Sequence, residues 1–198
     1  MSAIADKSIA RPEQGLRPAV PSDVPWIQAR LQEAIDGSPH HGDRFKDYER
    51  QRYSKSFLGA LIAIDPWHVA MAQKDGAAAG LVVTIPEFGT LWSSWIYTFP
   101  EFRRSTVGLA MMRQSIAHWD NGCFHKVACY AKPDNDAART IFRRFGFREV
   151  ALLKRHVLGE DFLLLEREFN KTTEDYDSGV NVGRLGRLRS RVEHVLRL

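Results

Sequence analysis

The sequence predicts an α+β domain, a mixed β-sheet flanked by helices. Two features of its order point there. Three β-like segments follow one another between residues 67 and 99 with short turns between them, as antiparallel neighbours do. Helical and strand periodicities then alternate from residue 106 to residue 169, as in strand–helix–strand units that lay helices on a sheet.

Leu16 to Val20 reads as a short strand. Ser22 or Asp23 can then cap a helix running to Ile35, with Trp26, Ile27, Leu31 and Ile35 on its apolar side. Asp36 to Gly42 is a turn-rich loop, and Arg44 to Ile64 a second helical region, charged at first and apolar by Phe57, Leu58, Leu61 and Ile62. Pro66 stops it, because proline lacks the N–H that a helix needs. Trp67 to Gln73 is a strand, Lys74-Asp75-Gly76 a hairpin turn and Ala78 to Ile85 the return strand. Pro86 to Gly89 is a loop before a third strand, Leu91 to Phe99, rich in aromatic and β-branched residues. A helix from Thr106 to Trp119 carries Leu109, Met112, Ile116 and Trp119 at helical spacing. His125 to Ala131 is a strand, and Asp134 to Phe145 a helix closed by Gly146. Arg148 to Val157 and Asp161 to Phe169 form a last hairpin around Leu158-Gly159-Glu160.

The expected organisation is an N-terminal arm over residues 1–15, a domain over 16–169, a polar linker over 170–183 and a basic amphipathic helix over 184–198. No apolar run approaches the ~20 residues needed to cross a bilayer, and the first residues lack the apolar core of a secretory signal. Cys123 and Cys129, in or beside a buried strand, lack the spacing and partners of a zinc site or a disulfide framework, so a reducing compartment, the cytoplasm, is expected. The net charge of +4 is too small to argue for nucleic acid by itself. The last fifteen residues, however, hold five arginines, and Leu185, Leu188, Val192, Val195 and Leu196 recur there at helical spacing. Docking on the domain or on a second subunit is the expected use of that stripe, ahead of a membrane surface or nucleic acid.

The chemistry is concentrated in Trp95 to Met112, WIYTFPEFRRSTVGLAMM. A strand ends at Pro100, a polar loop follows, and a helix opens with Gly108 in its first turn. The start of a helix presents unpaired N–H groups and the positive end of a dipole, a ready anion site. Arg103, Arg104, Ser105 and Thr106 add donors, and Gly108 lets the backbone approach a bulky phosphate. A pyrophosphate is the natural ligand for such a cradle.

RRSTVGLA resembles the coenzyme A loop of the GNAT superfamily of N-acyltransferases, whose pattern is Arg/Gln-x-x-Gly-x-Gly/Ala: Arg103 takes the first position and Gly108 the last. Thr106 stands where the first glycine is usual. Tyr97-Thr98 and Pro100 match the hydrophobic-x-Pro signature just upstream. Downstream, PDNDAARTIFRRFGF is similar to the family's Asn-x-x-Ala-x-x-hydrophobic-Tyr-x-x-x-Gly-Phe helix, with Asn135, Ala138, Ile141, Gly146 and Phe147 in register and Phe142 in place of the tyrosine.

The resemblance implies a GNAT-like acyl-coenzyme A N-acyltransferase fold over Leu16 to Phe169, with acetyl-coenzyme A as co-substrate and no metal. It implies that Arg103, Arg104, Ser105, Thr106, Val107, Gly108 and Leu109 hold the pyrophosphate, chiefly by main chain. Thr106 is acceptable there if its φ is negative. Ile96, Tyr97 and Thr98 would pair with the pantetheine arm, and an N–H there would polarise the thioester carbonyl. Asn135, Ala138 and Phe142 would flank the arm, Asn135 alternatively serving as a helix N-cap. The implied reaction is direct transfer of an acetyl group to an amine of a small molecule or a protein, with a homodimer possible.

Phe142 has no proton to give the departing thiolate. Tyr97 is a candidate acid, with strand packing as its plainer role. The strand LWSSWIYTF holds no carboxylate, which leaves Glu87 in the preceding loop as the nearest acid and candidate base, with a solvated loop charge as the plainer reading. His68 reads as an edge histidine, and the resemblance places the loop with His40 and His41 near the acceptor. The mixed charges from Asp43 to Arg52 read as a solvated helix face, and Trp67, Trp92 and Trp95 as core. Two other functions fit the same residues: a non-catalytic acyl-coenzyme A sensor, and a transferase of long acyl chains with an apolar tunnel beside Ile96.

Overall fold

The structure, a computed structural model, describes residues 14–177. The expected arm outside Gln14 and Gly15, the end of the expected linker and the expected C-terminal helix lie outside the described residues. The chain runs β1 (Gln14–Pro18), a 3-10 turn, α1 (Val24–Asp36), α2 (Asp43–Arg52), α3 (Lys55–Ile64), a 3-10 turn at Pro66–His68, β2 (Val69–Lys74), β3 (Ala77–Glu87) and β4 (Thr90–Thr98). A 3-10 turn at Pro100–Phe102, α4 (Val107–Trp119), β5 (Lys126–Ala131), α5 (Asp136–Arg144), β6 (Arg148–Val157) and β7 (Glu160–Glu168) complete it.

The strands make one sheet in the order β1-β2-β3-β4-β5-β7-β6. Every neighbouring pair is antiparallel except β4 and β5, which are parallel and joined by the α4 crossover. This is the mixed sheet that the sequence predicts. It differs in two local respects. The helical region from Arg44 to Ile64 is two helices, because Tyr53 leaves helical geometry and the Ser54 hydroxyl caps α3 by accepting from the Phe57 N–H at 3.3 Å. Pro86 lies inside β3 opposite Leu91, so the loop shrinks to Phe88 and Gly89, both at positive φ, as a two-residue hairpin turn requires.

Alternation along the strands sends apolar side chains to both faces. On one face Leu81 and Val83 meet Ile27 and Leu31 of α1 and Leu58 and Leu61 of α3. On the other, Val82 meets Val107 and Met111 of α4. A Cβ at Gly80 would stand 2.6 Å from the Tyr97 carbonyl oxygen and 2.8 Å from the Met111 sulfur, so only glycine lets α4 sit this close to β3. A further cluster around Leu91, Met112, Trp119, Phe124, Val127 and Phe147 fills the space between α4 and the β5–β7 half of the sheet. Cys129 is buried there as a small apolar side chain.

The polar stretch after β7 is tied to the domain as far as it is described. The Gly89 N–H donates to the Tyr176 carbonyl at 2.8 Å, Lys171 donates to the Cys123 and Asp175 carbonyls at 2.6 Å, and Tyr176 stacks on Phe124 at 4.6 Å.

His68, expected at an edge, is fully buried. Its ring stacks on Trp119 at 4.6 Å, and its Nδ1 bonds the Thr84 hydroxyl at 3.0 Å. Burial pulls its pKa down to about 3, so the ring is neutral. The unfolded chain therefore binds a proton below pH ~6.5 that the folded chain refuses, and stability falls with falling pH at up to about 1.4 kcal/mol per unit through that window. Denaturant titrations from pH 7 to 4 check this. His68→Leu is less stable at pH 7, because Thr84 loses its partner, and its stability falls less steeply with acidification.

Candidate active site

The parallel strands β4 and β5 pair over only three residues, Thr90 to Trp92 against Lys126 to Ala128. Beyond Trp92 they part, and β4 keeps only β3 as a neighbour. At the same place β4 gains a residue: Val83 faces Trp95 and Thr84 faces Ser93, so Ser94 is bulged. The bulge reverses the alternation. Leu91, Ser93 and Ile96 border α4, whereas Trp92 and Trp95 open onto a cleft on the opposite face.

Beyond the open stretch of β4 lies the strand–loop–helix junction. Arg104 adopts a left-handed φ of 61°. The Ser105 hydroxyl donates to the Phe102 carbonyl at 2.5 Å and accepts from the Val107 N–H at 3.3 Å, which shapes the loop from within. Thr106 has φ −78°, so its side chain costs no strain where glycine is usual. Gly108 and Leu109 fall in the first turn of α4, where amides have no helical acceptor. A Cβ on Gly108 would stand 3.1 Å from the Thr98 hydroxyl, so the glycine sets how closely α4 meets the end of β4.

The cleft beside the parted strands has a volume of ≈ 560 Å³. Trp92, Ser93, Ser94, Trp95 and Ile96 form its floor. Phe45, Glu49 and Tyr53 of α2 and its C-terminus form one wall, and Tyr130, Phe142 and Phe162 the other. Tyr48, Glu87, His156 and Leu158 stand among the lining residues, with Tyr48 and Leu158 exposed.

Glu49 is the feature that sequence reasoning missed. It is the one buried residue of α2, 4 % exposed, on a helix otherwise given to solvent. Its Oε2 accepts from the Trp95 indole N–H at 2.7 Å, and its Oε1 meets Arg52 at 3.4 Å. Desolvation raises its pKa, and the bond from Trp95 and the charge of Arg52 offset this in part. The Tyr53 hydroxyl is completely buried and makes no close hydrogen bond, with the Ser94 side chain beside it. Burial raises that phenol's pKa. His41 stacks on Phe45 at 4.3 Å, and its Nδ1 bonds the Ser38 hydroxyl at 2.8 Å. Desolvation lowers its pKa to about 4, so it is neutral.

The sequence-derived candidates separate accordingly. Phe142, Ile96, Glu87 and His41 line the cleft. Tyr97 does not: its ring packs on Phe99 at 5.8 Å, and Arg103 lies over it with a guanidinium N–H 3.4 Å from the phenol oxygen. Asn135 caps α5, its side-chain oxygen accepting from the Ala138 N–H at 3.1 Å, and neither residue lines the cleft. His40 faces Asp134 at 3.6 Å. Trp67 is half-buried and stacked on His118 at 4.1 Å, and Trp92 and Trp95 are half-buried in the floor of the cleft, Trp95 also packing against the core, because the bulge puts Trp95 on the same side of β4 as Trp92. A signal for Glu49 did exist in its spacing from Phe45 and Tyr53, one helical turn on either side. Among the described residues no group of three or more His, Cys, Asp or Glu side chains could hold a metal, and no helix is long and apolar enough to cross a membrane.

Two parallel strands that part beside a donor-rich helix start and open onto a closed-in cleft define an acyltransferase. The chain belongs to the acetyltransferase (GNAT) family, which it matches over residues 31–147, more than half its length. Solved structures agree in fold. The PaiA N-acetyltransferase of Thermoplasma acidophilum, in complex with coenzyme A, is similar with a TM-score of 0.65 at 15 % identity, over 79 % of this chain and 99 % of that one. The ribosomal-protein-alanine N-acetyltransferase of Brucella melitensis has a TM-score of 0.62 at 19 % identity, over 78 % and 99 %. The yncA protein of Salmonella typhimurium, with its cofactor acetyl-CoA, has a TM-score of 0.58 at 15 % identity, over 81 % and 96 %. No curated protein sequence matches the chain.

A carboxylate whose pKa is raised on folding makes the protein less stable as pH climbs through that pKa. Glu49→Gln keeps an oxygen for the Trp95 N–H and removes the buried charge. It raises stability at pH 7 by on the order of 1 kcal/mol, and the gain vanishes as pH falls below the unfolded value near 4.5. Urea denaturation of both proteins at pH 4 and 7 measures it.

Proposed function

We propose that the protein transfers an acetyl group from acetyl-coenzyme A to an amine bound in the cleft, by direct attack of the amine nitrogen on the thioester carbonyl. The observation that carries this is the continuity of three features: the helix start at Val107, the unpaired edge of β4 and the cleft at Trp92 to Ile96. Pyrophosphate on the amides of Thr106 to Leu109 leaves the pantetheine arm to run along Ile96 to Thr98 as an added strand. Its thioester then reaches the floor of the cleft beside Phe142.

A backbone N–H on that stretch of β4 stabilises the oxygen that becomes negative in the tetrahedral intermediate. Phe142 supplies shape but no proton. The thiolate leaves without a protein acid at that position and takes a proton from water or from the amine, which a thiol of pKa ~8.5 tolerates. Arg103 and Arg104, both exposed beside the loop, add charge for the phosphates. The acceptor is a small-molecule or protein amine.

Isothermal calorimetry with acetyl-coenzyme A tests the reading. Gly108→Val loses most of the binding, because the branched side chain presses on Thr98 and blocks backbone approach to the phosphates. Arg103→Ala weakens binding by only about 1–2 kcal/mol, since main-chain donors carry the site. Unchanged affinity of a folded Gly108→Val protein removes the coenzyme A site from this loop.

A further inference from the structure

We propose that the acceptor is a primary amine on a compact aromatic or apolar body, seated against the aromatic walls of the cleft with its nitrogen at Glu49, and that Glu49 removes its proton. This rests on the acyl-transfer reading above and adds to it a substrate class and a base.

The lining favours that class. Phe45, Trp92, Trp95, Tyr130 and Phe162 present aromatic surface from α2, β4, β5 and β7. The ≈ 560 Å³ of space is in the range of a small-molecule site. An aromatic body gains stacking there, and an ammonium gains from ring faces as well as from a carboxylate. A polyamine needs several carboxylates along its length; here two line the cleft, Glu49 inside and Glu87 exposed. A peptide N-terminus needs partners for successive backbone amides. The interior wall offers aromatic faces instead.

The polar groups present are those an amine needs. Glu49 keeps unused lone pairs, since Trp95 and a 3.4 Å contact from Arg52 occupy only part of a carboxylate's capacity. Tyr53, one helical turn further on, brings a completely buried hydroxyl with no partner in the protein. A buried hydroxyl without a hydrogen bond is destabilising, and a bound amine N–H relieves it. Glu49 sits buried on a helix whose other acidic residues, Asp43 and Asp47, are solvated. Neutral packing would be more stable there, so the charge is kept for another reason.

The groups around Glu49 are compatible with a base. From its own helix and that helix's end come Tyr48, Arg52 and Tyr53; from the preceding loop, the neutral His41; from β4, Trp95. Across the cleft stand Glu87, Tyr130 and His156. Desolvation, which raises the Glu49 pKa, equally disfavours an ammonium, so the ion pair relaxes toward neutral amine and carboxylic acid. The ammonium gives one proton to Glu49. Its nitrogen lone pair forms the C–N bond at the thioester carbonyl, the C–S bond breaks, and the thiolate takes the second nitrogen proton through water. Glu49 then releases its proton to solvent, so one ammonium and one acetyl-coenzyme A yield one acetamide, one free thiol and one proton.

The test uses the full chain, acetyl-coenzyme A and a thiol-detecting reagent. Its acceptors are 2-phenylethylamine, spermidine and a tetrapeptide beginning with alanine. The expected result is a kcat/KM for 2-phenylethylamine at least about tenfold above the other two. Equal rates, or preference for spermidine or peptide, overturns the substrate class. Acetyl-coenzyme A binding by calorimetry with no turnover of any amine overturns this inference alone; no binding removes the acyl-transfer reading as well. Glu49→Gln lowers kcat about 100-fold at neutral pH, leaves the KM for acetyl-coenzyme A unchanged and abolishes the acid limb of the kcat profile. A kept acid limb with near-normal kcat overturns the base. Tyr53→Phe, which removes the buried hydroxyl, raises the KM for the amine severalfold without loss of stability, and an unchanged KM overturns its part in holding the nitrogen.

Discussion

The parting of β4 from β5 is the constraint on which the rest depends. Three paired residues are enough to seat the parallel strands side by side, and the bulge at Ser94 then turns β4 away from β5. From that point backbone N–H and C=O groups on the facing edges have no strand to pair with, which is costly unless water or a ligand supplies the partners. The opening makes the edge, the floor of the cleft and the path from the start of α4 into one continuous surface. A sheet paired to its ends would have buried all three. The α4 crossover holds the opening in place. Gly80 lets Met111 down onto β3, and Gly108 lets the first turn of α4 approach Thr98, so the amides at the start of α4 stand next to the open strand.

Around the opening the protein tolerates groups that stability alone would not select. Glu49 is buried with an indole N–H and a distant guanidinium for company, and Tyr53 carries a buried hydroxyl with none. Each opposes folding in isolation. The surrounding clusters supply the compensation: α1 and α3 against β2 and β3, α4 against β3, and the apolar cluster under α4 and β5. His68 belongs to a different category. It too is buried and neutral, but it stacks on Trp119 and bonds Thr84, far from the lining of the cleft, and its role is packing.

Membership of the acetyltransferase family accounts for the frame. The cleft is lined from α2 and from the β6–β7 hairpin, which contribute Phe45, Glu49 and Leu158. They are brought together across the sheet from segments more than a hundred residues apart in sequence.

Most of the element order, the mixed sheet, the donor-rich junction from Arg103 to Leu109 and the exchange of a tyrosine for Phe142 were legible in the sequence; the break at Tyr53 between α2 and α3 was not. Each legible feature is a local property: periodicity, a proline stop, a glycine in a first turn, or a short spaced motif. Glu49 was legible only in its spacing from Phe45 and Tyr53. In DRFKDYERQR it is one charge among many, and the average of that segment is that of a solvated helix, which its six exposed residues are. What removes Glu49 from solvent is Trp95, which reaches it only because one extra residue at Ser94 turns that side of β4 toward α2. The same extra residue sets Trp95 on the side of β4 that Trp92 occupies, facing the cleft. A one-residue change of register exchanges the two faces of a strand, and register is settled by pairing with β3 across the sheet, not by the strand's own composition. The sequence by itself therefore determined most of the elements that form and where a donor-rich helix start lies. Which side chains meet in the cleft, and which of them are deprived of water, was decided by tertiary pairing alone.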